Sequence, residues 1–178
     1  MPASDPARVL DFAPIGMWWE ITRSTADTHG ALFEAVNVIA PDFAGPPLHI
    51  HPTAEESYSV LSGTLDVCVD RIWRRLDAGQ SVTVPAGTPH TLRNTSDGEV
   101  RLLNVHSPAL DFEHFFRRLH ALVNDHGVGL PPKDFASLVL ISMLFVAHKR
   151  EVVSVDPPAF VMRLLASTGK LMGYKLPP

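Results

Sequence analysis

The stretch His49-Ile50-His51-Pro52-Thr53-Ala54-Glu55-Glu56 concentrates side chains that bind metal ions. Imidazole nitrogen is a good ligand for zinc, iron, nickel and copper, and a carboxylate completes a mixed nitrogen and oxygen shell. Residues i and i+2 of an extended segment share a face, so His49 and His51 can point at one spot. Glu55 and Glu56 both lie within reach. Glu56 leads an apolar run, Ser57–Leu61, where a carboxylate is costly to bury unless it has a partner, and a metal ion would be one. A fourth candidate is His90, which follows Pro85-Ala86-Gly87-Thr88-Pro89, a turn able to deliver it at the head of a new strand.

Around these four, the same alternation puts Tyr58 on the face of Glu56, and His106 on the face of Leu102 and Asn104. Tyr58, Leu92 and His106 are therefore expected at a substrate pocket, with apolar walls from Val60, Leu65, Val67 and Leu92. Trp18 and Trp19 fall on opposite faces of one strand, one of them in the core. His29, His114, His120, His126 and His148 have no ligand-like neighbours in the sequence and read as surface or core residues.

The elements that position these side chains change character near Ser107. Before it, short β-branched runs alternate with Gly, Pro, Asp and Asn. Strands are predicted at 18–25, 31–39, 56–61, 64–69, 72–76, 81–84, 90–94 and 100–106, the spacing of an all-β sandwich or barrel. Asp70-Arg71 between two of them reads as a tight hairpin turn, although it lacks the favoured glycine. After Ser107 the apolar period is helical. Helices are predicted at 111–126, ended by Gly127; at about 132–150, begun by Pro132 or Asp134; and at about 158–170. The chain thus divides into a β-barrel over residues 1–107 and a helical extension over 108–178, packed on the barrel or on a dimer partner.

Composition excludes several classes. Net charge is -4 with no basic stripe, so nucleic acid is not an expected partner. The apolar run Leu138–Ala147 is short of the roughly 20 residues that span a bilayer, so no membrane segment is expected. The single cysteine, Cys68, forbids a disulfide within the chain and fits a reducing, cytoplasmic setting. Met1–Phe12 lacks the pattern of a signal peptide.

The two histidine-bearing stretches resemble the two signatures of the cupin superfamily. The first reads Gly45, His49, His51, Glu56, Gly63; the second reads Gly79, Pro85, Gly87, His90, Asn94. Every spacing of the second matches, whereas Gly45 lies three residues before the first histidine rather than five. The six residues between Glu56 and Gly63 select Glu56 over Glu55. The resemblance implies a mainly β, jelly-roll barrel, to which the helical period after Ser107 adds a C-terminal α-helical extension. It also implies one divalent transition metal (iron, nickel, manganese, cobalt, zinc or copper) on His49, His51, Glu56 and His90. Among single-domain cupins the chain looks most like the quercetinase-like bacterial ones. The expected function is accordingly a metal-dependent dioxygenase acting on a small aromatic or enol-bearing substrate, with Glu56 both ligand and general base. A non-catalytic small-molecule sensor, and a metal-dependent isomerase or decarboxylase, are the alternatives. A homodimer is expected from the apolar helical tail.

Overall fold

The structure is a computed structural model and describes residues 5–178; the first four residues of the segment assigned to the barrel lie outside them. Eleven strands form two antiparallel sheets. In chain order the barrel strands are β1 (Val9–Phe12), β2 (Met17–Arg23), β3 (Phe33–Ile39), β4 (Leu48–Ile50), β5 (Glu55–Ser62), β6 (Thr64–Val69), β7 (Ile72–Asp77), β8 (Ser81–Val84), β9 (His90–Arg93) and β10 (Val100–Ser107). The extension holds α1 (Phe112–His126), α2 (Phe135–Ala147), β11 (Val153–Asp156) and α3 (Ala159–Leu171). One sheet runs β1-β2-β3-β10-β5-β8 and the other β11-β4-β9-β6-β7. The predicted jelly-roll fold with C-terminal helices is the fold observed.

Local chemistry explains the elements. Asp70 and Arg71 both have positive φ, 49° and 64°, and join β6 to β7 with Val69 opposite Ile72. That is the mirror-image turn whose twist suits a hairpin, reached here without glycine. α2 starts at Asp134, whose carboxylate accepts from Ser137 N at 2.8 Å and Ser137 Oγ at 2.6 Å, an N-cap that satisfies otherwise orphaned donors. α1 ends at Gly127 in the left-handed region, its N–H bonded to Leu122 O.

Three strands escaped the sequence reading: β1, β4 and β11. The last corrects the description of the tail as purely helical. Val153–Asp156 pairs antiparallel with β4, Ser154 facing His49 and Val153 facing Ile50. Its Val-x-Val alternation is a strand signal, but one of four residues wedged between two helices. The apolar run of α2 is buried within the chain itself, with Val139, Ile141, Met143 and Leu144 all in the core. Gly169 of α3 allows this, because a Cβ there would come within 2.8 Å of Met143 Sδ.

The core straddles the boundary at residue 107. Phe12, Trp19, Ile21 and Phe33 of the barrel share one cluster with Phe112, Phe115, Leu119, Ile141 and Leu144 of the extension. A second cluster, with Val60, Leu65, Val67, Leu76 and Leu102, is built from barrel residues alone. Among the described residues no helix is long and apolar enough to cross a membrane.

Candidate metal centre

Strand register assembles the site. His49 on β4 lies opposite His90 on β9, and Glu56 on β5 lies opposite His106 on β10. His51 follows β4 directly. The ligand atoms of His49, His51, Glu56 and His90 lie within 4.8 Å of one another, and all four residues are buried. Glu55 points outward to solvent, as alternation along β5 requires.

The backbone fixes the tautomers. His49 Nδ1 donates to Pro47 O at 2.8 Å, His51 Nδ1 to Glu151 O at 2.6 Å, and His90 Nδ1 to Thr88 O at 2.8 Å. A carbonyl only accepts, so each ring spends its Nδ1 proton on the main chain and presents Nε2 to the centre. Tethering of this kind is usual for metal-binding histidines. Two of the carbonyls sit two residues before their histidine; the third comes from the extension, a hundred residues away.

Glu56 is shared between two sets of neighbours. Oε2 lies 3.0 Å from His51 Nε2 and 2.8 Å from His90 Nε2. Oε1 accepts from Asn104 Nδ2 at 2.8 Å and lies 3.1 Å from His106 Nε2. Burial alone would discourage the charge on Glu56, but the imidazoles of His106 and His51 outweigh it and hold the carboxyl well below its usual range. His49 is pushed well down by burial and by His90 and His51, so it stays a neutral ligand. Burial also lowers His106. For His90, burial works against the charge, yet the bond to Glu56 raises it overall.

A carboxylate oxygen between two imidazole nitrogens needs a positive charge there, either a proton or a cation. The spacing suits the cation: two bonds of about 2.0–2.2 Å at a right angle put their donor atoms about 2.8–3.1 Å apart. Three neutral-capable Nε2 atoms and one carboxylate oxygen, dry and pre-aimed, suit a divalent transition metal.

Beside the cluster is a cavity of about 100 Å³. Tyr58, Leu92 and His106 line it, together with Trp19, Asn37 and Phe112. Burial raises Tyr58 well above its ordinary value, and Glu56 adds to the effect, so its hydroxyl stays protonated. Val60, Leu65 and Val67, expected as walls, do not line it; they pack in the second core cluster, whose members Ile39, Phe43, Tyr58 and Leu92 do. The walls come from the extension: Phe112, Phe115 and Phe116 of α1. Phe112 lies 4.1 Å from the His106 ring and 4.9 Å from the His51 ring, centroid to centroid. Sequence reasoning passed over Asn104 and Phe112 as site residues; inward alternation along β10 was a signal for Asn104.

Two other histidines were misread. His114 and His148 do have ligand-like neighbours, since with Asp111 they form a second group of mutually close donor atoms. They meet because α1 begins where α2 ends. His148 is pushed down to about 4, mainly by burial; Arg118 and His114 add to this while Asp111 opposes it, and Glu151 Oε2 stands 3.8 Å away. A histidine depressed on folding binds its proton more readily when unfolded. Its contribution is therefore complete above the unfolded value of about 6.5 and is lost as pH falls from there towards about 4. We expect stability to drop by on the order of 2 kcal/mol across that window. His148→Gln should flatten this part of the curve in denaturant titrations from pH 7 to pH 4; an unchanged slope would refute the assignment.

Comparison with known proteins agrees with this geometry. The Cupin domain family matches residues 36–106. Quercetin 2,3-dioxygenase of Bacillus subtilis is 38% identical over 74 residues, 42% of this chain and 21% of that protein. Protein SchB of Streptomyces halstedii is 38% identical over 55 residues, 31% of this chain and 40% of that protein. The chain thus matches less than half the length of either relative. The crystal structure of TT1209 from Thermus thermophilus superposes with a TM-score of 0.50 and 25% identity, covering 61% of this chain and 99% of that one. With the matched segment spanning β3 to β10 and carrying all four clustered residues, the chain contains a cupin domain.

Proposed function

We propose that this protein is a metal-dependent dioxygenase acting on a small enol-bearing or aromatic substrate. The observation that carries the reading is the trio of imidazoles tethered through Nδ1 beside a buried, ionised Glu56, opening on an apolar cavity. The local likeness to quercetin 2,3-dioxygenase over 74 residues supports it.

His49, His51, Glu56 and His90 would hold the ion. Bound there, it supplies Lewis-acid stabilisation of an enolate or phenolate oxygen and a place for oxygen to react. Glu56 receives the substrate's proton at Oε2 while Asn104 and His106 keep Oε1 oriented. The phenylalanines of α1 exclude water and strengthen the charge interactions inside.

Cavity size narrows the substrate. About 100 Å³ is less than the ~150 Å³ apolar cavity that takes up benzene, so a short dicarbonyl fits as it stands and a single ring fits only with a small movement of the α1 side chains. A three-ring flavonol requires displacement of the α1 side chains. Protein reconstituted separately with iron, nickel, manganese and cobalt should consume oxygen with 2,4-pentanedione and not with a flavonol. Turnover of the diketone under nitrogen would replace the oxygenase reading with an isomerase or lyase. Binding without turnover, whichever metal is loaded, would make the protein a sensor.

A further inference from the structure

Six buried side-chain polar atoms have no hydrogen-bond partner among the described residues, and three of them, Trp19 Nε1, Asn37 Oδ1 and His106 Nδ1, belong to residues lining the one cavity. Buried polar groups are nearly always paired, and an unpaired one calls for an explanation. His106 belongs to the metal end, where its Nε2 faces Glu56. Trp19 and Asn37 do not. They are direct cross-strand partners on β2 and β3, with only 6% and 3% of their surface exposed. Asn37 faces Leu102 across β10, four residues before His106, which is roughly 13 Å along a strand.

From directly opposed strand positions in an apolar setting, the pair offers an unpartnered indole N–H donor and an unpartnered amide oxygen acceptor, with the Asn37 amide nitrogen as a further donor. A carboxylate would satisfy the indole but repel the amide oxygen; an ammonium group would do the reverse. A hydroxyl serves both, accepting from Trp19 and donating to Asn37.

We propose that Trp19 and Asn37 form a hydroxyl-binding anchor at the end of the cavity remote from the His49–His51–Glu56–His90 cluster, which selects an elongated, single-ring ligand hydroxylated opposite the group that reaches the cluster. The assignment rests on the proposed function in one respect, that the cluster receives the other end. Phe116, 4.2 Å from the Trp19 ring, supplies the apolar wall between the two ends. An unmet donor and acceptor reject a ligand lacking the hydroxyl far more strongly than a missing methylene would.

The test is calorimetric titration of nickel-loaded protein with 4-hydroxybenzoate and with benzoate, in wild type, Asn37→Leu and Trp19→Phe. In wild type the hydroxylated probe should bind at least about tenfold more tightly. In both variants the ratio should fall to within about threefold, with benzoate binding kept. Thermal denaturation of the metal-free protein adds a readout that a merely structural role would move the other way. Asn37→Leu removes an unpaired buried group, so its Tm should equal or exceed that of wild type. No binding of either probe, equal affinities in wild type, a ratio kept in either variant, or a lowered Tm in Asn37→Leu overturns the anchor. Should Asn37→Leu not fold, the anchor is likewise overturned. Equal affinities alongside oxygen uptake would sink the anchor alone; the expected wild-type ratio, lost in both variants, without turnover would sink the oxygenase reading alone.

Discussion

His90→Ala is expected to leave the protein without stoichiometric metal, with an affinity loss beyond the roughly 10–100-fold that follows removal of an outer hydrogen-bond partner. His90 stands between the two sheets' contributions. It lies opposite His49 in the register, its Nδ1 is held by Thr88 O, and its Nε2 is 2.8 Å from Glu56 Oε2. Alanine removes a ligand and leaves Glu56 buried with one cation-bearing neighbour fewer. His51→Ala should do the same. His106→Ala is the informative control: His106 touches Glu56 through Oε1, outside the four-atom cluster, so the loss there should stay within the roughly 10–100-fold range. Elemental analysis of dialysed protein, with circular dichroism to verify folding, distinguishes these outcomes. Full metal retention in His90→Ala would sink the site.

Much of that centre was legible because metal chemistry demands few residue types at few spacings. Strand periodicity, the cost of burying a carboxylate and the turn before His90 make the four residues candidates, and the resemblance to the two cupin signatures assigns them as ligands. Glu56 is preferred to Glu55 by the six-residue spacing to Gly63 that the resemblance implies; alternation then turns Glu55 to the opposite face, and Glu55 is exposed. The supporting contacts were not legible, since they depend on long-range closure. His51 is tethered by Glu151 O from the far side of two helices, and nothing in the local sequence of either residue announces the meeting. The same holds for Phe112, which reads as one more helical apolar position until α1 docks over the barrel. Val60, Leu65 and Val67 failed as pocket walls for a related reason. Alternation tells which face a residue occupies but not which interior residues border the cavity, and these three pack in the core cluster with Val84 and Leu102. Asp111, His114 and His148 show the limit from the other side, because three unremarkable residues became neighbours only through the antiparallel return of α2 on α1.

The glycine that departs from the family spacing is expected to be structurally decisive. Gly45→Ala should destabilise the fold by about 2–5 kcal/mol, combining the penalty of a left-handed backbone with that of forced overpacking. Gly45 has φ of 88°, and a Cβ there would land on the carbonyl oxygen of Leu92, deep inside van der Waals contact. The partner atom is backbone of β9, so no rotamer change relieves the clash. The loop is pinned on both sides: Thr91 Oγ1 donates to Pro46 O at 2.7 Å, and Asn94 N to Phe43 O at 3.0 Å. Pushing it off β9 separates the segment that delivers His49 from the strand that carries His90, so weakened metal binding should accompany the lost stability. Gly79 is the control, with φ of 87° and nothing within 4 Å of the added methyl. Gly79→Ala meets the same backbone strain without the clash and should cost only about 1–2 kcal/mol. At roughly 2–4 °C per kcal/mol for a chain of this length, the two variants separate clearly in thermal denaturation of metal-free protein. Equal Tm shifts would show that close approach of the loop to β9 contributes nothing, and that Gly45 is present for its backbone angle alone.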